Sequence, residues 1–361
     1  MGARQAAKTR ATVGRSRAQI GDYELLNLVG RGGMAEAWLA RDPSGEEVVL
    51  KRLPRGRQHD AHLRACLADE GRIASQLRHP AIVRLLDRFQ HDGEPVLVYE
   101  YVRGMTLWRL CRRAQGAGTG LPLDLVLRLG IQLAEALDYV HHKQDANGQP
   151  LAIIHRDLSP QNIMVDHQGQ VRLLDFGVAL SNSNERFSVG GGLYGNLGYA
   201  SPELVTGQSL TGASDQFALG TLLWECLARR RLFGAEAPAK VVAAVARAEV
   251  PSLLAFRPDL DAELAEVIGR CLQRDPQARF GRCEALAQRL EAIAERVVRI
   301  PVRGASYSAW LDRLRRAGPV PRRLPNLTPS RPGKRSPLLQ LRSLLDRIRL
   351  GRRLRTKLDT P

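Results

Sequence analysis

The chain is poor in cysteine and in aromatic residues, and it has no long apolar run. Its five cysteines (Cys66, Cys111, Cys226, Cys271 and Cys283) are scattered, and no two form a CxxC pair. That spacing gives no support to a zinc site and predicts reduced thiols. No uninterrupted apolar stretch approaches the ~18–20 residues needed to cross a bilayer. The N-terminus has no apolar core of a signal peptide. The expected location is therefore cytoplasmic, without a transmembrane segment.

Acidic residues are missing from both ends. Residues 1–21 carry Arg4, Lys8, Arg10, Arg15 and Arg17 and no acid. Residues 301–361 hold 16 Lys/Arg against only Asp312, Asp346 and Asp359, so the net charge of +17 belongs to two tails around a near-neutral body. A nucleic-acid binder is not the expected reading, because the tails offer only Tyr307 and Trp310 as nearby aromatics on which bases could stack.

What is present suits a large enzyme body. With 361 residues, 44% of them hydrophobic and 25% charged, the chain can build two domains, or one bilobal domain with tails, without disulfides or metals. Residues 1–21 are polar, basic and aperiodic, and are read as a disordered tail. From 23 to 53, short apolar stretches alternate with Gly-rich and Asp-Pro-Ser-Gly turns and read as strands. A helix is expected over 61–77, stopped by His79-Pro80, then strands over 83–89 and 96–101 around an Asp92-Gly93 turn. Beyond Gly104 the pattern turns helical, with Leu125, Leu129, Leu133, Leu137 and Val140 along one face. Strands first and helices after predict an α+β arrangement: a small β-rich lobe over 22–101 and a larger α-helical lobe over 105–298. Residues 299–337 read as a Pro/Arg-rich linker. Residues 338–358 read as a basic amphipathic helix, with Leu338, Leu341, Leu345 and Ile348 at helical spacing.

Three motifs carry chemistry. The first is Gly30-Arg31-Gly32-Gly33 after a predicted strand. Glycines let a hairpin fold its N–H groups over phosphates, although taken alone the motif is also an ordinary hairpin. A strand, not a helix, follows it, which disfavours a Rossmann reading. The second is Lys51, at the end of the apolar run Val48-Val49-Leu50. An ammonium there is costly unless paired, and Glu70 on the following helix is the candidate partner; a solvent-facing lysine is the plain alternative. The third is the run His155-Arg156-Asp157-Leu158-Ser159-Pro160-Gln161-Asn162, with Asp175-Phe176-Gly177 beginning thirteen residues after Asn162. Phosphoryl transfer needs a carboxylate to accept or orient the attacking hydroxyl, which suits Asp157. It also needs oxygen ligands for Mg²⁺, which suits Asn162 and Asp175.

In this order and spacing the set resembles the protein-kinase signature, and most of all bacterial eukaryotic-type (Hanks-type) serine/threonine kinases, over about residues 23–298. The resemblance implies a bilobal kinase fold and transfer of the γ-phosphate of MgATP to Ser or Thr hydroxyls of proteins. It implies that Val29, Gly30, Arg31, Gly32 and Gly33 cover the nucleotide and that Lys51, paired with Glu70, grips the α/β-phosphates. Ala37 and Val49 would roof the adenine pocket, Met164 would floor it, and Tyr99 would be its gatekeeper. The Glu100 carbonyl and the Val102 amide would meet the adenine edge. Glu203 of Ser201-Pro202-Glu203 would pair with Arg279, and Asp215 would brace the loop around Asp157.

The sequence departs from the family pattern at four places. Ala35 stands for the third glycine, and Ala37 and Val49 are reversed in size relative to the usual pair, which we read as a volume-conserving exchange. Ser159 stands where serine/threonine members usually carry Lys, which weakens the serine/threonine assignment, and Asn196 stands where they usually carry Thr. Regulation is expected through Arg156, a cation able to order a phosphorylated activation segment, with Ser181, Ser183 and Ser188 as autophosphorylation candidates. The basic C-terminal helix fits an anionic membrane surface, an acidic protein partner or, equally, an inhibitory element folded back on the kinase body. Two rivals are a pseudokinase scaffold that binds nucleotide and acts through its basic tail, and a small-molecule kinase. Ser201-Pro202-Glu203 with Arg279 speaks against the second.

Overall fold

The computed structural model describes residues 18–176, 197–234, 237–298 and 305–316. Ser181, Ser183, Ser188 and Asn196, the tail before residue 18 and the helix expected over 338–358 lie outside the described residues.

The N-terminal region is a six-stranded antiparallel sheet in the order β1-β2-β3-β4-β6-β5. Its strands are β1 (Gln19–Ile20), β2 (Tyr23–Arg31), β3 (Glu36–Arg41), β4 (Glu47–Arg52), β5 (Leu85–His91) and β6 (Glu94–Glu100). The alternation in Val48-Val49-Leu50-Lys51 divides two faces. Val48 and Leu50 join Ile20, Ala40, Val96 and Val98 in one small core, and Val49 and Lys51 face the other way. On that second face helix α1 (Ala61–Ala74) packs Leu63, Leu67 and Ala74 against Leu53, Leu85 and Leu97. The Asp60 carboxylate caps α1 by accepting from the Leu63 N–H at 3.1 Å. The helix ends three residues before its expected stop. Its last carbonyls are taken by tighter bonds from Gln76 N to Ile73 O (3.0 Å) and Leu77 N to Ala74 O (3.2 Å). Between β5 and β6, Asp92 and Gly93 both take positive φ, 51° and 74°, as a two-residue hairpin turn requires.

A short crossing after Glu100 leads to β7 (Gly104–Thr106), which pairs with β8 (Ile163–Asp166), itself paired with β9 (Val171–Leu173). Gly104 is obligatory here: a Cβ would stand 2.2 Å from the Val165 carbonyl oxygen. The C-terminal region is helical: α2 (Leu107–Gly116), α3 (Leu123–His141), α4 (Pro202–Val205), α5 (Gly212–Ala228), α6 (Pro238–Arg247), α7 (Ala262–Cys271) and α8 (Cys283–Val297). Leu125, Leu129, Leu133, Leu137 and Val140 of α3 are fully buried, and one continuous core runs from α2 through α8. No helix among the described residues is long and apolar enough to cross a membrane.

Two boundaries differ from the sequence reading. Residues 19–20, read as part of a disordered tail, form β1 against β2, with Ile20 buried in the sheet's core. The stretch read as a linker over 299–337 contains α9 (Ala305–Arg316), and Tyr307, Trp310, Leu311 and Leu314 are buried in the helical core. Their spacing of i, i+3, i+4 and i+7 is that of one helix face, hidden in the sequence among arginines. The two aromatics named as candidates for base stacking pack on each other at 5.9 Å and face inward instead.

Candidate active site

The cleft between the two regions is built from the Lys51 face of the sheet above and from the loop 155–162 below. Register places Ala37 opposite Lys51, Leu39 opposite Val49, Val49 opposite Tyr99 and Lys51 opposite Leu97, so these side chains share one face. Lys51 Nζ donates to both carboxylate oxygens of Glu70, each at 2.8 Å, and to Asp175 Oδ1 at 2.7 Å. The Tyr99 hydroxyl donates to Glu70 Oε1 at 2.8 Å. Burial alone would lower the Lys51 pKa, but Asp175 and Glu70 together push it well up. The Glu70 carboxyl goes up as well. Burial raises it by more than Lys51 lowers it, and the Asp175 charge adds to the rise. Burial is the larger cause, and the second carboxylate on the shared ammonium adds to it.

The glycine loop joins β2 to β3. Gly30 and Arg31 end β2, Gly32 and Gly33 form the turn, and Gly32 N donates to Ala35 O at 2.9 Å. Arg31 Nε pairs with Glu36 at 3.0 Å across the hairpin, and Arg57 donates to the Gly33 carbonyl at 3.1 Å. Sequence reasoning missed Arg57, which reaches the loop only through the fold. Val29 is 48% exposed and Met34 36%, so both apolar side chains of the loop are open to solvent. Met164 lies on β8 opposite Thr106, and Val102 lies in the crossing after β6. The Glu100 carboxylate accepts from the Arg84 N–H at 3.0 Å, which ties this crossing to β5.

The lower rim is held by a buried aspartate. Asp215 of α5 accepts from the backbone N–H groups of His155 (2.9 Å) and Arg156 (2.8 Å) and from His141 Nε2 (2.8 Å). Burial would raise the Asp215 pKa, yet the hydrogen bond and charge of His141 hold it below the ordinary range. Arg156 takes φ 65° and Asp175 φ 64°, conformations unfavourable for residues with a Cβ. The bond from Arg156 N to Asp215 offsets the first. The His155 ring donates from Nε2 to the Leu174 carbonyl at 3.0 Å and meets Phe176 edge-on at 4.9 Å, so the segment carrying Asp175 is anchored to the same loop. Asn162 Nδ2 donates to the Asp157 backbone carbonyl and to Asp157 Oδ2, both at 2.9 Å, and the Asn162 backbone carbonyl accepts from Leu174 N at 2.8 Å.

With its amide nitrogen turned to Asp157, Asn162 keeps a carbonyl oxygen, and Asp175 supplies carboxylate oxygens. These hard donors fit Mg²⁺, which keeps waters and takes few protein ligands. No cluster of three His, Cys, Asp or Glu that could hold a metal occurs among the described residues.

Farther down, Arg279 binds Glu203 through two bonds of 2.8 and 2.9 Å, and Ser214 donates to the same carboxylate at 2.8 Å. Burial opposes ionisation of Glu203, but the Arg279 hydrogen bonds and charge prevail and lower its pKa. Sequence reasoning also missed Tyr199, Glu225 and Arg231. Tyr199 donates to Glu225 at 2.6 Å and accepts from Arg231 at 2.6 Å, tying residues 197–199 to α5. Ser159 is fully buried, and its hydroxyl has no hydrogen-bond partner among the described residues.

Comparison with known proteins agrees with this geometry. The family model described as the protein kinase domain matches residues 23–290. The chain belongs to the protein kinase domain family. It is 34% identical to the tyrosine-protein kinase MasK of Myxococcus xanthus over 75% of this chain and 43% of that protein. It is 32% identical to the serine/threonine-protein kinase PrkC of Bacillus subtilis over 73% of this chain and 39% of that protein. The crystal structure of the Mycobacterium tuberculosis PknI kinase domain superposes with a TM-score of 0.59 at 28% identity, covering 78% of this chain and 98% of that one. The chain thus spans about two fifths of the length of the curated relatives named here.

Proposed function

We propose that the protein is an ATP-dependent protein kinase that phosphorylates Ser or Thr hydroxyls of proteins and autophosphorylates its activation segment in the region of Ser181, Ser183 and Ser188. The observation that carries the reading is the joined set Glu70–Lys51–Asp175, at 2.7–2.8 Å, above the Asp157–Asn162 pair at 2.9 Å. In it Lys51 is placed to hold nucleotide phosphates, and Asp157 to orient the acceptor hydroxyl and take its proton. Asn162 and Asp175 would hold Mg²⁺, which when bound neutralises charge on the phosphates. The glycine loop would cover them, and Ala37, Val49, Tyr99 and Met164 would enclose the base against the backbone at Glu100 and Val102. We further propose that the basic segment 338–358 docks the enzyme on an anionic surface, a membrane or an acidic protein.

A second acceptor class has specific support. Ser159 replaces the lysine that marks serine/threonine members, and MasK is named a tyrosine kinase. One experiment addresses both readings: incorporation of labelled phosphate from MgATP by wild type, Asp157→Asn and Lys51→Met, followed by phosphoamino-acid analysis. Label on the wild type, reduced roughly 10²–10⁴-fold in Asp157→Asn, supports the kinase, and the labelled amino acid decides the acceptor. Nucleotide binding without any transfer would point to the pseudokinase scaffold.

A further inference from the structure

Resting on that reading, we propose that Tyr99 is a positioning residue whose hydroxyl, bonded to Glu70, holds helix α1 at the angle that lets Lys51 bridge to Asp175. The side chains involved come from three elements, Tyr99 from β6, Glu70 from α1 and Lys51 from β4. Glu70 Oε1 accepts from both Lys51 and Tyr99 at 2.8 Å, whereas Lys51 divides its donors between Glu70 and Asp175. The lysine is thus the contact that bound phosphates would draw on. The phenol touches only the helix carboxylate in this network and stays in place when the lysine is shared.

The packing around α1 explains why a polar contact is needed. The apolar seam between helix and sheet has six buried residues, and it centres on Leu97, two residues before Tyr99 on the same face. Gly71 lets the helix settle against Leu97; a Cβ there would come within 2.6 Å of Leu97 Cδ2. Apolar burial of this kind is non-directional and does not by itself fix the rotation of the helix. The Tyr99–Glu70 bond, beside this close approach, adds direction to it. Burial and the Glu70 charge both push the phenol pKa well up, so the hydroxyl remains a donor throughout the working range.

The test compares wild type, Tyr99→Phe, Glu70→Ala and the double variant, using MgATP with a generic protein acceptor and amide hydrogen exchange of the free proteins. Tyr99→Phe keeps the ring and loses the donor. We expect its kcat to fall roughly ten-fold, as loss of one hydrogen bond to a charged group implies, with KM for ATP unchanged. We also expect faster exchange in residues 61–74 and none in α5. In the Glu70→Ala background the second change should add no loss. An unchanged kcat with unchanged exchange would overturn the proposal. So would an equal loss in the Glu70→Ala background, or a raised KM for ATP at constant kcat, which would make Tyr99 only a wall of the base pocket. If wild type itself transfers no phosphate, the kinase reading fails, and exchange of residues 61–74 still decides whether Tyr99 holds the helix.

Discussion

The two sides of the cleft are stabilised in different ways. Above it, the sheet region has two separate cores of six buried residues each, and the contacts that reach the cleft are polar: Lys51, Glu70, Asp175 and Tyr99. Below it, a single core extends across eight helices, α2 to α9, and the Arg279–Glu203 ion pair is sealed inside it. Arg279 and Glu203 have side-chain exposures of 0% and 2%, against 16% and 4% for Lys51 and Glu70. Ionisation responds accordingly. Glu203 has a full cation of its own and its pKa is lowered, whereas Glu70 shares one and its pKa is raised. In the lower lobe the Arg279–Glu203 pair is closed off from the cleft. An upper lobe that shares one ammonium can be reset by whatever binds beside Asp175.

That contrast can be broken most directly at Arg279. Arg279→Ala leaves Glu203 buried without its partner and should cost about 3–5 kcal/mol in urea unfolding at pH 7. Lys51→Met should cost less, about 1–2 kcal/mol, because Glu70 keeps the hydrogen bond from Tyr99; equal costs would refute the comparison. The pH dependence gives the sign. In the wild type the Glu203 contribution is present above its ordinary pKa of 4.5 and is lost as pH falls through the lowered folded value. Without Arg279, burial raises the Glu203 pKa instead, so the penalty stands at neutral pH and shrinks toward pH 4.5. The gap between variant and wild type should therefore narrow on acidification.

The extent of the lower core is tested next. Trp310→Ala should destabilise by about 3 kcal/mol if α9 is part of that core; thermal melting unchanged within 1 °C would return residues 305–316 to the linker. The smallest effect belongs to the upper rim. Ala37→Val should raise KM for ATP by a few-fold, on the order of 1 kcal/mol, and adding Val49→Ala should restore it, because both side chains lie on the cleft face of adjacent strands. Failure of the double exchange would refute the compensation.

Much of this was legible before any fold was seen. Local signals (turn residues, alternation and helical spacing) placed the strands, α3 and the order of the two lobes. The motif spacing singled out Lys51, Glu70, Asp157, Asn162 and Asp175. The misreadings have a common cause. The helix at 305–316 and the pairing of Tyr199 with Glu225 and Arg231 depend on surfaces supplied by distant segments, and no window along the chain contains them.

By itself, the sequence determined the residue types able to hold phosphate and move a proton, their order, and the backbone preferences that build a sheet before a helical body. Tertiary structure alone decided which groups share a charge. It gave one ammonium to two carboxylates and aimed the Tyr99 hydroxyl at Glu70. It brought the scattered Cys111 and Cys226 to 4.0 Å as free thiols, and it turned Tyr307 and Trp310 inward. The physical reason is range. Dihedral and periodic preferences act over a few residues, whereas burial and charge pairing depend on distances in space that only the packed chain sets.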